Sequence, residues 1–334
     1  MSGPETATDR REGAFEAVHR RRATFEETLS RTAEARGREA GAALPKASLW
    51  KDAYYRFIKN KASVVAAIAF LILLGYVLIV PFLAEHHILW KNNDPYAVRF
   101  DQAFLSPSWA HPFGTDEFGR DLWVRTALGG RVSFAIGLAA TAAIMIVGIT
   151  YGSISGFSGG KLDNAMMRFL DALYGLPYLP FAIITLAILG TVNFWSMVIA
   201  LTIASWFTTA RVMRGQIITL KQNDYVRAAY AAGARRHRVL FRHLLVNTLG
   251  VIIVFVFLEL PGVILGEAFL SFIGLGINPP KASWGTLAQD GYQYYQAHPY
   301  IIVIPSIMIA WLILSAFFIA DGLRDALDPR SREA

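Results

Sequence analysis

The stretch Asp224-Tyr-Val-Arg-Ala-Ala-Tyr-Ala-Ala-Gly-Ala-Arg-Arg-His-Arg-Val-Leu-Phe-Arg-His-Leu-Leu-Val-Asn247 lies between two long apolar runs. Asp224 is placed to cap a helix. Gly233 is placed to end or bend it. Arginines interleaved with apolar residues follow, a pattern that suits a segment lying along a membrane face. The stretch predicts a docking helix. Its side chains at Ala228, Ala229, Ala231 and Ala232 are small, so a partner could approach the helix backbone closely.

The composition is that of an integral membrane protein. Of the 334 residues, 54% are hydrophobic and 17% are charged, which is too apolar for a typical soluble protein. The sequence has no cysteine, so disulfides, thiolate metal sites and cysteine nucleophiles are excluded. About sixty polar residues precede the first apolar run, which argues against a signal peptide.

Five apolar stretches predict six membrane-spanning helices. The stretch 172–210 is uncharged over 39 residues, and a straight helix of that length, about 58 Å, would overshoot a bilayer. We therefore expect it to double back at 190–193 and to form spans 3 and 4, after a short loop at 156–168. The other spans are predicted at 62–84, 132–155, 246–272 and 300–320.

A row of glycines marks the second span. Gly148, Gly152 and Gly156 fall every four residues, so they share one face of a helix. Such a face lets another helix approach closely.

The basic residues predict the orientation. Of the 32 lysines and arginines, 26 lie in the amino-terminal tail, the 156–168 loop, the docking stretch and the carboxyl-terminal tail, and six lie in the other loops. This asymmetry predicts that both termini are cytoplasmic, and it explains the net charge of +7 without nucleic-acid binding. The predicted organisation is a polar, disordered extension at 1–49, an amphipathic entry and first span at 50–84, an extracytoplasmic segment at 85–131, a core at 132–322 with a coupling loop at 213–245, and a tail at 323–334.

Two carboxylates fall inside the fifth span. Glu259 and Glu267 are about two helical turns apart, so both can face one interior stripe, and Pro261 between them is expected to kink the helix. A charge near the middle of a bilayer costs a few kcal/mol on insertion scales (about 3 kcal/mol). The two residues are therefore expected to line a pathway or to pair with a partner subunit.

Three further motifs carry a family resemblance. The segments Phe113-Gly-Thr-Asp-Glu-Phe-Gly-Arg-Asp121, Gly130-Arg-Val-Ser133 and Leu270-Ser-Phe-Ile-Gly-Leu-Gly-Ile-Asn-Pro-Pro-Lys-Ala-Ser-Trp-Gly285 closely resemble the C-type permease subunit of dipeptide and oligopeptide ABC importers. The alanine pair followed by Gly233 resembles the "EAA" coupling loop of these permeases. The chain departs from that loop at Arg227, where glutamate is usual, and at Val246, where proline is usual.

The resemblance implies an all-α polytopic protein of the bacterial inner membrane, with the six helices of the type I ABC importer permease. It implies half of a translocation pathway for di- and oligopeptides, with nickel, glutathione or another small solute as alternative cargo. The implied partners are a B-type permease, two ATPase subunits that bind ATP and Mg, and an extracytoplasmic binding protein. The residues implied to contact the ATPase are Asp224, Arg227, Ala228, Ala229 and Gly233.

The outer motifs have alternative interpretations. Asp116, Glu117, Arg120 and Asp121 are dense enough to order a loop, and they predict either a contact for the binding protein or a solvated charge cluster. Trp284 is interpreted as an interfacial anchor or as part of a gate.

Catalysis is not expected in this chain. Gly159-Gly160-Lys161 lacks the flanking glycine and hydroxyl residue of a phosphate-binding loop, so no ATP, cofactor or metal site is predicted. An ion-coupled transporter using Glu259 or Glu267 is a rival hypothesis. It predicts an inverted repeat, which the sequence does not show.

Overall fold

A computed structural model of the chain describes residues 49–86 and 96–327. The described residues from 53 onward belong to one compact unit, and the predicted disordered extension falls almost wholly outside the described residues. The described part is mainly helical, apart from the turns and the isolated Thr115–Asp121 bridge of the outer loop and the segment 276–283. Its main helices are α1 (Leu49–Lys59), α2 (Lys61–Glu85), α3 (Leu122–Ser158), α4 (Gly160–Tyr174), α5 (Tyr178–Leu189), α6 (Phe194–Leu220), α7 (Asp224–Ala231), α8 (Leu249–Leu270), α9 (Trp284–Tyr292) and α10 (Tyr300–Leu327).

Five helices in the described residues are long and apolar enough to cross a membrane, namely α2, α3, α6, α8 with its extension to Leu275, and α10. A sixth span arises if α4 and α5, which are bent by 91° relative to each other, are taken as one. The predicted reversal at 190–193 is confirmed: Gly190 has a φ of +71° at the end of α5, and Asn193 caps α6. The predicted kink at Pro261 stays a prediction, since α8 runs through that residue as one helix.

The observed helices differ from several predicted span boundaries. The second span begins at Leu122 instead of 132, because the Asp121 side chain accepts a hydrogen bond from Val124 N (3.2 Å) and caps the helix. The predicted loop at 156–168 is mostly helix, interrupted only at Gly159 (φ +68°). The fifth span starts at Leu249, and the last helix continues to Leu327, into the predicted tail.

The pair α3 and α6 makes the most extensive helix contact. As predicted, the glycine row mediates it. A Cβ atom at Gly148 would lie 2.7 Å from Thr209 Cβ, and one at Gly156 would lie 2.7 Å from the carbonyl oxygen of Arg214. The backbones therefore meet closely enough to transmit displacement from one helix to the other.

Trp284 lies in a hydrophobic core cluster formed by α2, α3, α8, α9 and α10. Its side chain is fully buried, and its indole Nε1 donates a hydrogen bond to the Thr126 carbonyl oxygen (2.8 Å). The prediction of an interfacial anchor is therefore wrong. A buried tryptophan needs an acceptor for its N–H, and α3 supplies one.

Candidate functional site

The predicted docking helix is present as α7. Asp224 is its first residue, but no side chain caps the helix, so the predicted cap is wrong. The Asp224 carboxylate instead lies in the first turn, where the helix dipole favours a negative charge. The helix ends at Ala231, and Gly233 follows two residues later with a φ of +80°, which suits glycine. Gly233 N and Ala234 N donate to the carbonyl oxygens of Tyr230 (2.9 Å) and Ala229 (3.0 Å).

One side of α7 packs against the subunit, and the other side is exposed among the described residues. Val226 is buried in a cluster with Phe157, Ile217, Val239, Leu240 and Leu244, and Ala229 packs half-buried against this cluster. Ala228 and Gly233 are exposed, and an added Cβ at Gly233 would meet nothing within 4 Å. The surface open to a partner therefore contains Ala228 and Gly233, whereas Ala229 also supports the helix from beneath.

Arg227 points away from the subunit. Its side chain is 76% exposed and lies 3.7 Å from the Asp224 carboxylate. An exposed pair at this distance contributes little stability. The guanidinium is thus available to a partner.

Polar contacts join the ends of the membrane helices that precede the docking helix in the chain. The two nitrogens of the Arg214 fork donate to the Asp163 carboxylate at 2.6 and 2.7 Å, and Ser155 also donates to this carboxylate. Lys221 Nζ donates to the Phe157 carbonyl oxygen at 2.7 Å. These contacts therefore join the end of α3, the start of α4 and the end of α6, which is the helix that precedes α7 in the chain.

Glu259 and Glu267 face different surroundings. Glu259 is half-buried, and its carboxylate accepts a hydrogen bond from Thr209 Oγ1 of α6 (3.3 Å). Glu267 is fully buried within the subunit and accepts hydrogen bonds from Ser133 (2.9 Å) and Ser271 (2.7 Å). The Ser133 hydroxyl also accepts from Trp284 N (3.2 Å). Glu267 thus joins α3, α8 and α9, and of the two carboxylates only Glu259 is open to a neighbour.

The predicted outer segment is ordered by buried charges. Asp116 is 3% exposed and accepts hydrogen bonds from Phe118 N, Arg120 N and Arg120 Nε. Arg125 Nε lies 3.2 Å from the same carboxylate. Asp121 Oδ2 lies 2.7 Å from His111 Nδ1. These residues order the loop, as predicted, and the alternative of a solvated cluster is wrong.

Arg125, Asp163 and Arg214 were missed as site residues. Each makes its ion pair with a residue from 9 to 51 positions away in the chain, and no local pattern reports such a pair. A charged residue at the end of an apolar run was the one available signal.

Comparisons with known proteins identify the family. The family model described as binding-protein-dependent transport system inner membrane component matches residues 148–333, more than half of the chain. The chain belongs to this family. A second family model, the N-terminal TM domain of oligopeptide transport permease C, matches residues 48–107. The chain is thus an inner-membrane transport component and not a catalytic subunit.

Individual relatives extend over most of the chain. The oligopeptide transport system permease protein OppC of Haemophilus influenzae is 40% identical over 287 residues, which cover 85% of this chain and 90% of that protein. The dipeptide transport system permease protein DppC of Bacillus subtilis is 38% identical over 289 residues, which cover 86% and 88%. The structure of the inward-facing MetNI methionine ABC transporter contains a chain with the same fold (TM-score 0.51, 17% identity), covering 61% of this chain and 96% of that one.

Proposed function

We propose that this chain is the permease subunit of an ABC importer and forms half of a pathway for di- and oligopeptides. The observation that carries the proposal is the similarity, along about 85% of the chain, to permeases named for oligopeptide and dipeptide transport. The other half of the pathway is a B-type permease, and an extracytoplasmic binding protein delivers the peptide. Two ATPase subunits bind ATP and Mg and drive the cycle.

The surface of Ala228, Arg227 and Gly233 is the contact for an ATPase subunit. It combines small exposed residues with a turn that only glycine adopts easily. A cleft in a partner can therefore approach the helix backbone, and Arg227 supplies a cation to an acidic group of that partner. The cytoplasmic location rests on the charge asymmetry of the loops.

Movement of α7 reaches the membrane core through two connections. Val226 inserts into the cluster around Phe157 and Ile217, which belong to α3 and α6. The contact of Arg214 with Asp163 joins α6 to α4, and Ser155 of α3 donates a hydrogen bond to the same carboxylate. Because α3 and α6 pack backbone to backbone, displacement of α7 turns this pair as a unit. Glu259 lies on α8 against α6 and faces the pathway or the B-type subunit.

An ATPase copurification assay tests the coupling surface. Ala228→Asp and Gly233→Val should leave the helices inserted while reducing both copurification of the ATPase and peptide uptake. Ala228 is a sharper test than Ala229, because a charge at half-buried Ala229 would also disrupt the cluster beneath it. The matched control is Ala297→Asp, at an exposed alanine on the predicted opposite side. Unchanged copurification and uptake for both variants would remove α7 from this role.

Uptake measurements also distinguish two alternative hypotheses, a different cargo and a different energy source. Transport of nickel, glutathione or another small solute without peptides would place the chain in the same class with a different cargo. Uptake driven by an ion gradient without ATP would favour the ion-coupled transporter.

A further inference from the structure

A cleft of about 380 Å³ lies between the outer loop of residues 98–125 and the segment 274–290. A neighbouring cleft of about 310 Å³ shares Arg125, Ile277, Pro280, Lys281 and Ala282 with it. Each volume falls in the range of small-molecule sites. The lining includes Glu117, Asp290 and Arg125, whose charges act on one another.

Two carboxylates in this cleft lack adequate partners. Asp290, on α9, makes no hydrogen bond and no ion pair within residues 49–86 and 96–327. One oxygen of Glu117 lies 3.6 Å from Arg120 Nη2, and the other is buried without a hydrogen-bond partner. Burial raises the pKa of Asp290, and it also raises the pKa of Glu117, to which Asp116 and Asp290 add repulsion. A cation entering the cleft would relieve both carboxylates.

The nearby cations are already shared. Arg120 and Arg125 both contact the Asp116 carboxylate, at 2.6 and 3.2 Å. Three carboxylates therefore face two guanidinium groups. Lys281 also lines the cleft, but its side chain is exposed.

Arg125 supplies the complementary chemistry. Its side chain is only 5% exposed, yet it donates no hydrogen bond within the described part of the chain, and its Nε is buried without an acceptor in hydrogen-bonding geometry. It borders both clefts. A buried guanidinium with open donors is costly unless an oxygen ligand reaches it.

We propose that this cleft receives the amino-terminal end of a peptide, with Glu117 and Asp290 binding the α-ammonium group and Arg125 donating to a carbonyl or carboxylate oxygen of the peptide. Every unblocked peptide carries a cation and oxygen acceptors within a few bonds of each other, so one ligand can reach both the two carboxylates and the Arg125 guanidinium. This inference rests on the proposed function, because it places the cleft in the path of an imported peptide. A basic side chain of the binding protein is the competing occupant.

Direct binding tests the ligand. The importer complex is purified in lipid nanodiscs without its binding protein, and saturation-transfer NMR is recorded with trialanine and with N-acetyl-trialanine. Trialanine should bind, and acetylation should weaken binding about tenfold, as expected for loss of a charge-assisted contact. Equal binding of the two peptides to the wild-type complex would overturn the proposal without any variant having to fold.

Variants locate the site. Asp290→Asn and Glu117→Gln should each raise the KM for trialanine uptake about tenfold, while Asp101→Asn, at an exposed carboxylate outside the cleft, should not. The affinity of the complex for the loaded binding protein should stay unchanged in all three variants. An unchanged KM, or weakened affinity for the binding protein, would refute the peptide site. Failure of the wild-type importer to take up any peptide would instead refute the proposed function.

Discussion

Substitution of Gly156 by alanine should loosen the α3 and α6 pair. The added Cβ would lie 2.7 Å from the Arg214 carbonyl oxygen and 3.2 Å from Arg214 Cα. Both are backbone atoms, so no side-chain rotation can relieve the clash. The helices must separate, and overpacking of this kind costs about 1–3 kcal/mol.

A matched control lies on the partner helix. An added Cβ at Gly215, next to Arg214, would meet nothing within 4 Å. Gly215→Ala should therefore be neutral or stabilising by up to about 1 kcal/mol through helix propensity. The two glycine-to-alanine changes should then differ by about 1–4 kcal/mol in unfolding free energy.

The difference can be measured by SDS-induced unfolding of the purified protein. Gly156→Ala should also lower ATP-driven uptake, because moving Arg214 disturbs its contact with Asp163 (2.6 Å). If Gly156→Ala unfolds at the same SDS fraction as Gly215→Ala, close backbone packing does not hold this pair together.

Three other outcomes are expected. A cysteine at Ala231 in this cysteine-free chain should resist an impermeant thiol reagent added outside intact cells, and one at Gln296 should react; the reverse labelling pattern would invert the proposed orientation. Glu267→Gln should retain assembly, since an amide still bonds to the two serines, while Glu267→Leu should reduce the yield of folded protein; equal yields of the two would make the buried network dispensable. Burial raises the pKa of Asp290, so ionisation of this group opposes folding as pH rises through its folded-state pKa. At pH values above 7, Asp290→Asn should therefore raise the thermal unfolding midpoint, and this gain should vanish as pH falls below the ordinary aspartate pKa. A gain that does not depend on pH would contradict the assignment.

The features predicted from sequence are those encoded locally. Uncharged length and turn residues predicted the apolar helices and the reversal at 190–193, and the glycine spacing predicted the face that packs on α6. The helix of the second span begins at Leu122, ten residues before the predicted span, and the Asp121 side chain caps it there.

The site was harder to predict because its parts come from distant segments. Tryptophan is a residue type common at membrane interfaces. In this chain, however, the carbonyl oxygen of Thr126, 158 positions away, accepts a hydrogen bond from the Trp284 indole N–H, which allows full burial. Glu259 and Glu267 share a helix, yet they diverge because Thr209 and Ser133 lie on different helices. Periodicity assigns residues to a face, and only the packed neighbours decide what that face meets.

The central claim is tested most directly by reconstituting this chain with its permease partner, two ATPase subunits and the binding protein in proteoliposomes. The account predicts that labelled trialanine accumulates only when the ATPase side is supplied with ATP and Mg, and that Gly233→Val abolishes accumulation. Accumulation driven by an ion gradient without ATP, or no peptide accumulation while another solute is imported, would contradict it.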